Sequence, residues 1–180
     1  MILALVIATC LGADDQSPTT DDNHSVIGTI QVGRGLTKPS VRIKLTEDGT
    51  SLRLSGEVVS ELARLQSTKV ELLGQREPKR FVVAGYRILS LPSGKRPLAV
   101  GVLVELKPVS LLGIQVDAGP PLPLNAHPKI RQQLVEMVGA KLWVLGSKLL
   151  SGEIQVTQFG VLRERQKHKV EKTQSTSTNE

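Results

Sequence analysis

The sequence is poor in the side chains that most often carry chemistry or cross-links. Of its 180 residues, one is cysteine, three are histidine and only 2% are aromatic. A single cysteine excludes an intramolecular disulfide, and no two histidines share a metal-ligand spacing with cysteine or carboxylates. We therefore expect no metal site and no cofactor. Catalytic residues cannot be named either, because no nucleophile motif is present, so we expect a protein that is not an enzyme.

Long hydrophobic runs are also missing. The apolar run at residues 2–9 is far shorter than the roughly 20 residues that a transmembrane helix needs. Its length matches the apolar part of a secretory signal, which is about 7 to 15 residues long and precedes small residues at a cleavage site. The basic residues expected before such a run are absent.

The end of this run resembles a bacterial lipoprotein signal. Ile7-Ala8-Thr9-Cys10 places small residues before a cysteine, although Thr9 stands where Gly or Ala is usual. The resemblance implies that residues 1–10 are a signal segment, that Cys10 carries a lipid, and that the protein lies at the cell envelope, in the periplasm or on the outer surface. Two alternatives stay open: an ordinary cleaved signal, or a short buried strand of a cytoplasmic protein.

Charge is distributed unevenly along the chain. The formal net charge is +6, but residues 1–25 hold four aspartates and no lysine or arginine, so the rest of the chain carries +10. We interpret residues 11–25 as an acidic polar linker. The basic balance beyond it permits a polyanionic partner without requiring one.

An internal repeat organises the remainder of the chain. Residues 26–89 align with residues 99–162 at a spacing of 72 to 73, which is the pattern of a duplicated structural unit. Matched positions include Gly28 with Gly101, Val41 with Ile114, Ile43 with Val116, and Leu62 with Leu134. The strongest match joins residues 81–89 to residues 154–162, and in both the apolar phase shifts at the same place, which predicts a shared β-bulge.

Each arm of the repeat predicts the same order of elements. In the first arm, period-2 alternation indicates strands at residues 26–32, 41–45, 52–54, 70–74 and 80–89. Helical spacing of Val58, Val59, Leu62 and Leu65 predicts a helix of about three turns, with Ser55 as its cap. The second arm predicts strands at 98–105 and 112–116, a helix that starts at Pro128, and a third strand at 120–124. Its prolines predict that this strand is short or at an edge.

Three strands, a helix and two strands is the order of the five-stranded OB barrel, which each arm resembles in order and size. The resemblance implies a mainly β protein with two short helices and two tandem OB-like barrels, at residues 26–90 and 98–163. Residues 91–97 would be the linker between them, and residues 164–180 a disordered tail. An SH3-like barrel or a pair of small β-rolls has a similar strand count and remains an alternative.

OB barrels commonly bind ligands on the face of strands 2 and 3 and on the adjoining loops. In the first arm these positions are basic and form a candidate polyanion-binding face, made of Arg34, Lys38, Arg42, Lys44, Arg53, Arg76, Lys79 and Arg80. The outward face of any strand is polar by default, so an ordinary solvated face is the alternative interpretation. The second arm offers Lys107 and Lys148, but also Gln115 and Asp117. Nucleic acid is not favoured as the ligand, because no aromatic residue lies in these strands or loops to stack on bases.

These patterns support two interpretations of function. The first is a non-enzymatic binding or assembly module at the bacterial cell envelope, anchored by a lipid, with an unknown protein or anionic polymer as its partner. The second is a soluble protein that binds oligonucleotides or another polyanion through the basic face of the first arm, with a cytoplasmic location.

Overall fold

The computed structural model describes residues 24–33, 39–107, 111–117 and 119–165. Within these ranges the chain is mainly β, with two five-stranded sheets and two helices. The predicted signal segment with Cys10, the linker up to residue 23 and the tail beyond residue 165 lie outside the described residues.

The first sheet closes on itself in the strand order β1-β2-β3-β5-β4. The strands are β1 (His24–Gly33), β2 (Ser40–Leu45), β3 (Ser51–Ser55), β4 (Lys69–Arg76) and β5 (Arg80–Ser90), and helix α1 (Val59–Leu62) lies between β3 and β4 in the chain. Strands β3 and β5 are parallel, and the other neighbours are antiparallel.

The second sheet repeats this arrangement. Its strands are β6 (Ala99–Leu106), β7 (Leu111–Gln115), β8 (Leu122–Ala126), β9 (Lys141–Lys148) and β10 (Ile154–Arg163), with helix α2 (Pro128–Glu136) between β8 and β9. The order β10-β8-β7-β6-β9 is again closed. The expected mainly β fold with two tandem five-stranded units is confirmed, and the internal repeat corresponds to the two sheets.

Aliphatic side chains fill both sheets, because alternate residues of each strand point inward. On β2, Ile43 is fully buried while its neighbours Arg42 and Lys44 are exposed. Leu103 and Ile114 occupy equivalent inward positions in the second sheet. Each such side chain contributes about 1.5 to 3 kcal/mol relative to an exposed one, so a core with few aromatic rings is sufficient.

The repeated glycines mark the point where the first strand of each sheet contacts two neighbours. Gly28 pairs with Leu45 on β2 and with Val70 on β4. A Cβ atom there would overlap the carbonyl oxygen of Lys44, and one at Gly101 would overlap that of Gln115. Only glycine permits this close backbone approach.

The predicted shared bulge is also confirmed. Ladder partners skip Ala84 in β5, where Val83 pairs with Gly74 and Gly85 with Leu73. They skip Thr157 in β10 in the same way. The two skipped residues are 73 positions apart, so the bulge is a property of the repeated unit.

The first helix is much shorter than predicted. Helix α1 has four residues, and Ser55 is the last residue of β3 rather than a helix cap. Gly56 follows with a φ of +117°, and the β-branched residues Val58 and Val59 have low helix propensity. Leu65 is nevertheless buried, since an irregular turn satisfies the same apolar spacing. Helix α2 begins at Pro128, as predicted.

The third strand of the second sheet is short, as predicted, but it is not at an edge. Strand β8 lies between β7 and β10. Pro123 is opposite Gly113 of β7, and the ladder to β10 starts one residue later, at Leu124. The proline therefore needs no donor toward β10.

One part of the repeat alignment was wrong by two residues. Ile30 pairs with Ile43 in the first sheet, and Leu103 pairs with Ile114 in the second. Ile43 is therefore the structural match of Ile114, at a spacing of 71. A slip of two residues preserves the inward and outward faces of a strand, so the apolar pattern alone could not detect it.

The two sheets pack against each other. Leu145 and Leu162 of the second sheet are buried in the core cluster of the first, and Val100 and Trp143 pack against the same cluster. The outer surface of β9 and β10 thus covers part of the first sheet.

Candidate functional site

Three arginines form a row across neighbouring strands of the first sheet. Arg42 on β2 is the register partner of Arg53 on β3, and Arg53 is the register partner of Arg80 on β5. All three are exposed, and each is next to an inward-facing apolar residue of its strand. Their side chains therefore project from the same outer face, which we call the arginine row.

The arginine row is electrostatically unfavourable for the isolated protein. Like charges directly opposite each other on antiparallel strands are destabilising. Within the described part of the chain, neither Arg42 nor Arg53 forms an ion pair. Arg80 bonds to Glu77 at 2.6 Å, but both side chains are substantially exposed, and exposed pairs contribute little. The hydrogen bond from Arg80 lowers the pKa of Glu77.

The other predicted basic residues lie around the row or outside the described chain. Lys44 is exposed on β2, two residues from Arg42, and its register partners are Thr29 and Ser51. Lys79 is exposed in the turn between β4 and β5. Arg34 and Lys38 lie outside the described residues.

Arg76 belongs to a different environment. It lines a small groove with His24, at the start of β1, and with Glu47. The pKa of Asp48 is lowered, mainly by a hydrogen bond from the Thr50 backbone and to a lesser extent by the charge of Arg76. The acidic neighbours offset part of the charge of Arg76, so we do not group it with the arginine row.

The second sheet provides an internal comparison for the arginine row. The register of β7 and β8 places Gly113 at the position of Arg42 and Pro123 at that of Arg53. Ile154 pairs with Leu124 as Phe81 pairs with Leu54, so Glu153, the residue before β10, corresponds to Arg80. Gln115 replaces Lys44. The same sheet architecture therefore forms without any cation in this row.

A cluster that the sequence did not predict lies where the two sheets meet. Glu61 is only 3% exposed and accepts hydrogen bonds on its Oε2 atom from the Tyr86 hydroxyl at 2.6 Å and from Lys141 Nζ at 2.7 Å. Arg163 lies 3.6 Å from its other oxygen. The ammonium group of Lys141 is also 5.0 Å from the centre of the Tyr86 ring, which is within cation–π distance.

The surroundings of Glu61 keep it ionised. Burial alone raises the pKa of Glu61, but the hydrogen bonds from Lys141 and Tyr86 outweigh it and lower the pKa below its ordinary value. Burial and the adjacent carboxylate raise the pKa of Tyr86, so its hydroxyl stays protonated and donates. The partners of Glu61 are distant in the sequence, so no local sequence pattern predicts them.

The described residues contain no group of three or more metal-ligating side chains. No helix in the described ranges has the length and apolar character needed to cross a membrane. No protein-family model matches the sequence, and comparisons with curated proteins and with solved structures found no match either.

Proposed function

We propose that the protein is a non-enzymatic binding module that holds a polyanion on the arginine row of the first sheet. The proposal depends mainly on one observation: three arginines are aligned across β2, β3 and β5, while the matching row of the second sheet holds Gly113, Pro123 and Glu153. The fold does not require the cations, and they oppose stability. A bound polyanion would turn this repulsion into attraction.

We also propose that each sheet is an OB-like barrel. The closed order β1-β2-β3-β5-β4, with a helix between the third and fourth strands, supports this assignment. In OB barrels the face of strands 2 and 3 is the usual binding surface. Arg42, Lys44 and Arg53 lie on those two strands, which supports the placement of the ligand.

Binding to heparin across a salt series tests the proposal. Each arginine that neutralises an anionic group releases counterions, so the logarithm of affinity should fall linearly with the logarithm of salt concentration. The double variant Arg42→Ala/Arg53→Ala should bind about tenfold or more weakly, with a salt slope shallower by about two.

A matched control separates the arginine row from net charge. Lys129 and Lys148 are exposed in the second unit, and Lys129→Ala/Lys148→Ala removes the same charge. This control should retain nearly full affinity. The proposal is wrong if the two double variants bind equally, or if no polyanion binds at low salt.

The envelope location is a separate proposal. It depends on the resemblance of Ile7-Ala8-Thr9-Cys10 to a lipoprotein signal, which lies outside the described residues. A polyanion-binding face is compatible with an anchored protein and with a cytoplasmic one, so the location needs its own experiment.

A further inference from the structure

We propose that the ligand of the arginine row is a linear acidic glycan, carboxylated or sulfated, rather than a nucleic acid. This inference depends on the polyanion-binding function proposed above and specifies its ligand. Two observations carry it: the positions of all four aromatic side chains, and the neutral polar side chains that surround the arginines.

All four aromatic side chains of the chain pack or form hydrogen bonds at sites away from the arginine row. Phe81 is fully buried in the first core, and Phe159 packs against the second core. The Tyr86 hydroxyl is bonded to Glu61 between the sheets. Trp143 packs against the first core, and its indole ring lies directly over Gly160. Base stacking on aromatic rings adds about 1 to 3 kcal/mol per base to the charge contacts that hold single-stranded nucleic acid, and the row has no ring to supply this part.

The neighbours of the arginines are suited to hydroxyl groups. Gln31 is the register partner of Arg42, while Thr29 and Ser51 are the partners of Lys44. Gln31 and Ser51 are exposed, and Thr29 is partly exposed. These side chains offer both donors and acceptors, which match the hydroxyl groups between the charges of a glycan.

The guanidinium groups of the three arginines suit the anionic groups of such a glycan. Each presents a planar set of donors that binds the oxygens of carboxylate, phosphate and similar anionic groups in pairs, so the neutral side chains beside the row carry the preference for a glycan. The arginine row therefore combines anion recognition along one line with hydrogen bonding on either side. A polymer that has both anionic groups and free hydroxyls uses both features.

The test compares three probes that carry the same number of negative charges: a heparin oligosaccharide, an oligodeoxythymidylate and a polyphosphate. The heparin oligosaccharide should bind most tightly to the full-length protein. A guanidinium can also stack on a base, so the oligodeoxythymidylate measures directly whether bases add affinity.

The variant Gln31→Ala/Ser51→Ala isolates the neutral contacts, because it leaves every charge in place. It should bind the heparin oligosaccharide about three- to tenfold more weakly, as expected for the loss of one or two neutral hydrogen bonds. Its affinity for polyphosphate should stay within about twofold, since only charge contacts hold that polymer. An unchanged far-ultraviolet circular dichroism spectrum shows that the variant is folded.

The inference is overturned if the oligodeoxythymidylate or the polyphosphate binds as tightly as the heparin oligosaccharide. It is also overturned if Gln31→Ala/Ser51→Ala binds heparin as the parent protein does. In both cases, weaker polyanion binding by Arg42→Ala/Arg53→Ala than by the parent protein would still support the proposed function. If the parent protein bound none of the three probes, the proposed function itself would be wrong.

Discussion

Lys141 of the second sheet donates a hydrogen bond of 2.7 Å to the carboxylate of Glu61, which lies on helix α1 of the first unit, 80 residues earlier. The same carboxylate accepts the Tyr86 hydroxyl, and Arg163 approaches its other oxygen. One buried acid therefore connects the two sheets at their contact, next to the apolar packing of Leu145 and Leu162.

Replacing Glu61 should destabilise the protein. Glu61→Gln keeps the shape but leaves Lys141, which is 25% exposed, without its counter-charge. Breaking a buried pair by removing one partner is strongly destabilising, and partial exposure of the lysine reduces the loss to about 1 to 3 kcal/mol of unfolding free energy. Urea denaturation measures it.

Glu57→Gln is the matched control, because Glu57 is exposed and close in the chain. It should change the unfolding free energy by less than about 0.5 kcal/mol. Equal stability of the two variants would mean that the Glu61 cluster does not contribute to holding the sheets together.

The same cluster predicts a pH dependence of stability. Because the folded-state pKa of Glu61 lies below its ordinary value of 4.5, its contribution is present above that value and is lost as the pH falls through the folded pKa. The stability difference between the parent protein and Glu61→Gln should thus be constant at about pH 6 to 7 and shrink in more acidic solution.

Comparing the two proteins, rather than following one, removes the effect of other acids. The pKa values of Glu71 and Glu77 are also lowered by hydrogen bonds from their partners, and both proteins share them. Urea denaturation at about pH 7, 5, 4 and 3 gives the difference directly. A difference that stays constant across this range would contradict the prediction.

The contact between Trp143 and Gly160 should be sensitive to a single methyl group. A Cβ atom on Gly160 would overlap the indole ring, which must then move, and strain of this kind typically lowers stability by about 1 to 3 kcal/mol. Gly160→Ala should also shift the fluorescence of Trp143, which is the only tryptophan.

Gly85 supplies the control for this substitution. It lies in β5, the matching strand of the first sheet, and a Cβ there would meet nothing within 4 Å. Gly85→Ala should leave both stability and fluorescence nearly unchanged. If Gly160→Ala behaves the same way, the ring does not rest on the glycine in solution.

Strand periodicity in the sequence predicted the sheets well, for a physical reason. The apolar residue Ile43 is buried and its charged neighbours Arg42 and Lys44 are exposed, and this alternation can be recognised in the sequence. Helix α1 was overestimated because the spacing of Val58, Val59 and Leu62 describes which face is buried but not how the backbone turns. Gly56 and the β-branched residues Val58 and Val59 determine the path of the backbone there.

The candidate site was predicted as a list of residues but not as an arrangement. The sequence identifies Arg42, Arg53 and Arg80 as cations on strands, but register alone makes them a row. Arg76 is instead the register partner of Phe81 and lines the groove beside Glu47. Glu61 could not be found, since its partners are brought to it only by packing of the second sheet.

The predicted envelope location depends on Cys10. In the native host, the parent protein should be recovered with the membrane fraction, and its mature N-terminus should have the mass of a chain that starts at a lipidated cysteine. Cys10→Ala should abolish the lipid mass and release the protein from that fraction. A parent protein found in the cytoplasm with residues 1–9 intact would refute the lipoprotein assignment.

Relieving the repulsion within the arginine row should raise stability while it weakens binding. Arg53→Thr removes the cation between Arg42 and Arg80 and introduces a residue that suits β-strands. We expect a gain of about 0.2 to 1 kcal/mol in unfolding free energy, together with a several-fold loss of heparin affinity. Lys148→Thr, at an exposed position of β9, should change neither quantity appreciably. If the charges are retained for a ligand, the substitution should raise stability and weaken binding. If they served only to keep the protein soluble, the same substitution would raise stability without any loss of affinity. If Arg53→Thr raises stability without any loss of heparin affinity, the arginine row is not the polyanion-binding face; if it lowers stability, the repulsion inferred within the row is wrong.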